Sequence, residues 1–325
     1  MDTAKRPQLL QSGNRMLILN QYDFPTLFGY VAGTDPRASG CTSTGPAGRT
    51  KFVGGVLRTV AANEPRYDHE IGGVPTWLLE GQRTNRLLNS ADASSASWVK
   101  RGACRAVKSD YPDPTGGANA VRLTGVGGAG ALGDNIYQNG SNYTSDASLG
   151  VASWIKRISI AGTLVLENSS SPTRGKWLID MSLLPDTWAR VTARHPAVTV
   201  VLPFRSNGTI AGAYFYSFAG GLLSFDLWNC NVEDNCTFES SDIITVASPV
   251  TRAAETAPAW KSWPSQTTTR YWRYYDLATA AWVENVDVAV RTGMDDFGAA
   301  AQLHRAYAAI KYLKGSLTLA QAQAI

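Results

Sequence analysis

Four glutamates that lie in or beside strand-like segments, Glu80, Glu167, Glu233 and Glu239, are the first side chains to weigh for chemistry. Cleavage of a glycosidic bond needs only two carboxyl groups facing each other across a cleft, one to give a proton and one to attack or to activate water. Sequence spacing pairs none of the four, and a charge on a sheet edge or a carboxylate bonded to backbone accounts for each more simply. Three histidines, His69, His195 and His304, offer little material for a catalytic triad, and none stands in a zinc-binding spacing. His69, flanked by acids in "RYDHE", reads as a hydrogen-bonded turn residue. The run "GVGGAG" at 125–130 matches the dinucleotide fingerprint in its letters, but "ALGDNIYQNGSNYTS" after it has no helical period with which to present an N-terminus to a phosphate. A glycine-rich hairpin loop is expected there. "GPAGRT" lacks the length and the lysine of a phosphate loop, and no GxSxG elbow occurs. These residues point to no enzyme, no metal and no cofactor.

Aromatic and sulfur chemistry offer more. Trp98, Trp154, Trp188, Tyr214 and Trp228 sit in or near strand-like segments, where an exposed ring stacks on the apolar face of a sugar and a buried ring fills a core. They are the candidate glycan contacts. Of the four cysteines, Cys230 and Cys236 in "CNVEDNC" form the one close pair, and the intervening turn-forming residues allow an internal disulfide. Cys41 is the candidate for an intermolecular disulfide, Cys104 for a buried thiol; two reduced, buried thiols at 230 and 236 are the alternative.

The elements that must position these residues are strands. Thirty glycines, fifteen prolines and many Trp, Tyr, Val, Ser and Thr favour short strands joined by turns. From about 91 to 250, "AVRLTGV", "VASWIKRISI", "GTLVLEN", "WARVTARH", "VTVVLPF", "AGAYFYSF" and "LLSFDLW" alternate or run apolar between turn residues, the rhythm of an antiparallel β-sandwich. The expected fold is all-β. Residues 1–60 read as an extended, irregular N-terminal arm ordered against a neighbouring protein, 61–90 as a hairpin and clasp lead-in, and 251–325 as a smaller β-rich C-terminal part. In the last of these "AYAAIKYL" is read as a strand, followed by a short helix capped by Ser316 or Thr318. The stretch "VPTWLLEGQRTNRLLNS" (74–90) is the clasp: "WLL" docks on the sandwich, Glu80 and Arg83 pair or bond backbone, and Asn85 leads into the first strand. The net charge of +4, with 30 basic residues dispersed among 26 acids, names no nucleic-acid partner. No apolar run approaches the roughly 18 residues that cross a bilayer, and no leader is read at the N-terminus, so synthesis in a cytoplasm is expected.

Several phrases together carry a resemblance. Glu80, Gly81, Arg83, Thr84 and Asn85, then Ser97 and Trp98, then "DPTGGANAVRL", "DTWARVT", "LWNCNVEDN" with Glu233, and "SSDIITVASPVTRAAE" follow one another over about 55–255. In this order they resemble the carbohydrate-binding-like modules of tailed-phage structural proteins, found in tail fibres, head fibres and collar or neck appendages. The resemblance implies a jelly-roll or lectin-like sandwich and a virion structural component, acting through other virion proteins and copies of itself. It implies no catalytic residue. Two other expectations stand beside it: a receptor-binding module that grips host-surface glycan, and a polysaccharide depolymerase.

Overall fold

The computed structural model describes residues 8–12, 15–19, 26–36, 45–54, 56–67, 69–128, 133–141, 145–168, 175–207, 210–218, 221–234, 240–255, 262–294 and 304–325. The early strands are β1 (Gln8–Ser12), β2 (Arg15–Leu19), β3 (Thr26–Val31), β4 (Arg49–Val53), β5 (Val56–Val60), β6 (His69–Ile71), β7 (Val74–Leu79) and β8 (Arg83–Asn85). The middle of the chain holds β9 (Val99–Lys100), β10 (Arg105–Lys108), β11 (Val121–Val126), β12 (Ile136–Ser141), β13 (Ser145–Ser148), β14 (Gly150–Arg157), β15 (Thr163–Glu167), β16 (Lys176–Asp180), β17 (Trp188–Thr192), β18 (Val198–Leu202), β19 (Arg205–Asn207), β20 (Ile210–Ser217) and β21 (Leu223–Glu233). It ends with β22 (Val250–Arg252), β23 (Ser262–Asp276), β24 (Ala281–Gly293), β25 (Arg305–Lys314) and a short helix α1 (Leu319–Ala324). The protein is all-β, and its strands form two compact units, one of Pro46–Ala61 with Gln82–Ala254, the other of Met1–Gly45 with Ala62–Gly81 and Glu255–Ile325.

The first unit is an antiparallel sandwich. Among the described residues one sheet runs β10-β11-β21-β14-β17, with β8 paired to β21 and β22 paired to β8, and the other runs β18-β16-β15-β20-β12-β9. Successive strands pass repeatedly from one sheet to the other, the winding of a jelly roll. Period-two alternation sends Leu123, Val151, Ile155, Val191 and Phe225 inward from one sheet and Ile136, Leu164, Leu166, Trp177 and Phe215 inward from the other, and these side chains make one continuous core. In β21 the alternation changes phase. Trp154 pairs with Trp228 and the next residue back, Ser153, pairs with Cys230, so Asn229 is an extra residue, held at φ 43°. Before this bulge Phe225 and Leu227 face the core; after it Cys230 and Val232 do.

A second irregularity accounts for Gly125, the first glycine of the run at 125–130. Register slips between Leu123 and Val126 in β11, and Gly125 lies there at φ 68°, where a Cβ would meet the Ala103 carbonyl oxygen at 2.6 Å. The glycine serves a strand distortion and a close backbone approach.

Within the expected arm, 1–60, three described strands pack or pair with other parts of the chain. The β4–β5 hairpin packs Leu57 and Phe52 on Trp154 and Trp228 at the outer face of the β21 sheet, while β3 pairs with β25 in the other unit. Composition misled because a hairpin with only one apolar face looks poor in core residues until a sheet face is supplied to it.

The second unit is built on a sheet of order β24-β23-β25-β7-β6, with β3 also paired to β25. Its main core is aromatic: Tyr30 meets Trp77 edge-on at 5.4 Å, Tyr274 meets Tyr307 at 5.5 Å, and Trp263 meets Tyr312 at 5.5 Å. On a smaller cluster, Tyr271, Leu313 and Leu317 pack with Ala322 of α1. Thr318 caps that helix in a reciprocal capping box with Gln321.

Candidate functional site

Side chains from several of the phrases that carry the resemblance form a buried framework on the β21 sheet. Asn85 is its hub. Its Nδ2 donates to the Cys230 carbonyl (3.2 Å), Asn231 Oδ1 (2.9 Å) and the Ile243 carbonyl (2.8 Å), and its Oδ1 accepts from the backbone N–H groups of Leu87 and Val232 (both 3.2 Å). Asn231 in turn donates to Glu233 Oε1 at 3.3 Å, and Glu233 Oε2 accepts from the Ser240 N–H at 3.3 Å. Asp242 accepts from Trp154 Nε1 and from Asn229 Nδ2, each at 3.0 Å, with Arg190 Nε at 3.5 Å. Ser90 and Thr245 exchange bonds at 3.0 Å, and Arg252 donates to Ser241 Oγ at 2.6 Å. Stretches of sequence spread from 85 to 252 thus bond one another's buried polar groups, which is the condition for burying them at all.

The remaining motif residues are framework too. Ser97 Oγ accepts from Asn89 Nδ2 and Gln138 Nε2, both at 3.1 Å. The Asp113 carboxylate of "DPTGGAN" gathers the N–H groups of Thr115, Gly117 and Asn119 at 2.8–3.1 Å, fixing the turn before β11. Of the two arrangements expected for Glu80 and Arg83, pairing or bonds to backbone, the pair is not formed, and Glu80 meets Arg66 in the second unit: Arg66 Nη1 donates to Glu80 Oε2 at 2.7 Å, Arg66 also binds Glu255 through two nitrogens, and the Glu80 N–H donates to Glu255 Oε2 at 2.8 Å. Arg66 is fully buried; burial alone would lower its pKa, but the two carboxylates outweigh it and hold the group above its ordinary value. Arg83, in β8, donates to the Gln82 carbonyl at 2.9 Å. The clasp phrase is where the chain passes from one unit to the other, so its acid and its arginine belong to different structures.

Three of the five candidate glycan contacts are core residues. Trp98, Trp154 and Trp228 are 1%, 5% and 2% exposed. Trp98 packs near Phe215 and donates to the Asn89 carbonyl; Trp154 and Trp228 lie beneath the β4–β5 hairpin. Trp188 is half-buried beside them and donates from Nε1 to the Pro112 carbonyl at 2.7 Å. Tyr214 alone stands in a setting suited to ligand recognition, on the outer face of the β15–β20 sheet. There Tyr137, Tyr214, Glu167 and Lys176 lie directly opposite one another across four neighbouring strands. Tyr137 and Tyr214 meet edge-on at 5.6 Å, and Tyr216 lies 5.2 Å from Tyr214. Arg101 donates to the Tyr137 hydroxyl at 2.9 Å, Tyr216 donates to Glu167 Oε2, and Lys176 Nζ approaches the same oxygen at 3.7 Å. Burial, then the bond to Glu167, raises the Tyr216 phenol far above its usual range, so it is a neutral donor at any physiological pH. Phe218, 59% exposed, completes the row near Lys176.

The row joins ring faces and edges to a carboxylate, an ammonium and a guanidinium, the donor and acceptor set that polyhydroxylated ligands need. Sequence reading singled out Tyr214 and Glu167 and missed Tyr137, Tyr216, Arg101 and Lys176. The alternation in "AYFYSF" marks Tyr214 and Tyr216 as one face, but strand pairing alone brings Tyr137 and Lys176 beside them. Of the four glutamates, the three that are described do not converge. Glu167 belongs to this row, Glu233 to the buried framework on the opposite sheet, Glu80 to the other unit, and Glu239 lies outside the described residues.

Of the two readings of Cys230, the disulfide to Cys236 is not formed and the reduced, buried thiol is what is found. Cys230 is a free thiol, turned into the core by the Asn229 bulge, and burial pushes its pKa up to about 12. It does not end its strand, which runs on to Glu233. Cys104 is likewise free and buried, its pKa raised by burial to about 11. Cys41 and Cys236 lie outside the described residues. In comparison with known proteins, no family model matches the sequence and no curated protein matches it at a significant level.

Proposed function

We propose that the protein is a structural component of a tailed-phage virion, part of a collar, neck, tail or capsid-surface appendage, made in the host cytoplasm and acting by assembly with other virion proteins and with copies of itself. Its support is the ordered set of phrases from Glu80 to Glu255, together with one observation: side chains of those phrases, from Asn85 through Arg190 and Glu233 to Arg252, are spent on one buried hydrogen-bonded framework. Residues committed in this way specify a rigid module that presents surfaces. Mass spectrometry of purified particles from infected host cells tests the reading. The chain is expected among the particle proteins at a stoichiometric level, and its absence from intact particles rejects the proposal.

A second reading has its own observation. The row of Tyr137, Tyr214, Glu167 and Lys176 suits a host-surface saccharide, with the rings under its apolar face and the charged groups on its hydroxyls. Binding to a glycan array that is lost in Tyr214→Ala and kept in Trp188→Phe supports recognition at this row. No binding by the intact protein leaves assembly as the role.

A further inference from the structure

β24 is an edge strand of unusual openness. Over its thirteen residues it pairs on one side with β23, and among the described residues no strand pairs with its other side. Proteins normally guard such an edge with lysines, prolines, bulges or shortness, because its free N–H and C=O groups template further pairing. The outer half of β24 carries no lysine and no proline. It reads Asp287-Val288-Ala289-Val290-Arg291, with Val288 44% and Val290 69% exposed.

The five residues are self-complementary. In an antiparallel pair related by a two-fold axis through Ala289 and perpendicular to the sheet, Val288 of each copy faces Val290 of the other, Asp287 faces Arg291, and Ala289 faces itself. Residues directly opposite in such a pair share a sheet face, so both valine pairs form on one face and both charge pairs on the other. A two-fold axis through Asp287 instead opposes like charges, and one through Val288 leaves Asp287 against Ala289. Within each chain Asp287 already sits against Arg270 Nε at 3.1 Å and Arg291 Nη2 at 2.6 Å, so the carboxylate is held in place before any partner arrives.

We propose that β24 joins two copies of this chain through antiparallel edge pairing centred on Ala289, making a sheet continuous across both. The occupant is a second copy because the apolar and charged sequences of this edge complement each other when reversed. The proposal concerns the isolated chain and holds independently of the virion reading.

Sedimentation equilibrium of the full chain is the first measurement. A dimer is expected, and a chain that stays monomeric at about 100 μM, far above the micromolar range of ordinary specific contacts, overturns the proposal. Val290→Lys places an edge lysine where the wild-type side chain is mostly in solvent, so the fold is expected to survive, as checked by circular dichroism. Self-association is expected to weaken by more than about tenfold. A dimer untouched by Val290→Lys lies elsewhere and refutes the assignment. Mild oxidation of Ala289→Cys is expected to give a dimer crosslinked through position 289, mapped by peptide mass spectrometry. Preferential crosslinking in Asp287→Cys or Val288→Cys refutes the register.

Discussion

The sandwich and the second unit differ in how widely they spread their buried polar groups. In the sandwich, amides, hydroxyls and carboxylates drawn from 85–252 satisfy one another, with neutral Asn85 at the hub. In the second unit a single arginine, Arg66, is enclosed by Glu80 and Glu255 beside a core of paired aromatic rings. A network that mixes amides, hydroxyls and charged groups distributes the cost of burial over many modest bonds, whereas a compact ion cluster concentrates it in a few large opposing terms. Loss of one member is therefore expected to be graded in the first unit and severe in the second.

Arg66→Met is the sharpest way to break this contrast. It leaves two buried carboxylates without their counter-ion, and a loss of about 3–5 kcal/mol is expected from the removal of one partner of a buried ion pair. Hydrogen exchange should rise in the peptides of β23 and β25 before those of β21; equal rises in both would show that the cluster does not belong to one unit's stability. Asn85→Ala is the corresponding cut in the sandwich. It strands carbonyl and N–H groups that cost about 1–3 kcal/mol each when unsatisfied, and relaxation around the smaller residue should hold the total near about 3 kcal/mol by urea unfolding. A loss exceeding that of Arg66→Met would reverse the ranking.

Leu57→Ala sharpens the account of the hairpin. Loss of this buried side chain from Trp154 and Trp228 should cost about 2–3 kcal/mol, and fluorescence quenching by acrylamide should increase as the two indoles open to solvent. Unchanged quenching would mean that something else shields them.

The smallest effect is electrostatic. His195 Nδ1 accepts from the Ala197 N–H at 3.1 Å in the turn between β17 and β18, and burial lowers its pKa below 6.5. The native state thus favours neutral imidazole, and on acidification the unfolded chain takes up the proton first. Its contribution is complete above pH 6.5 and is lost as the pH falls below that value. The denaturation midpoint of the wild type should fall more than that of His195→Gln between about pH 7.5 and pH 5.5; parallel profiles would remove His195 from the balance.

Much of this was legible in the chain. Period-two alternation from "AVRLTGV" to "LLSFDLW" marks strands with one buried face, because side chains alternate across a strand whatever its partners are. Thr318 and Gln321 mark the terminal helix start by local hydrogen bonding alone. Those signals are local, and they fix the all-β class and most strand positions. What distance along the chain conceals is partnership. Arg66 and Glu255 are 189 residues apart, and nothing in either neighbourhood announces the other. Tyr137 reaches Tyr214 and Glu167 only through the order of strands in a sheet. Cys230, read as the end of a strand beside a reactive partner, is turned into the core by one extra residue at Asn229, since a single bulge reverses the face of everything after it. The sequence alone therefore determined the strands whose own alternation is strong, chiefly beyond residue 91, and which of their residues are apolar; the tertiary structure decided which faces are covered, and made strands within 1–60, because covering a face takes a second surface that the chain supplies from far away.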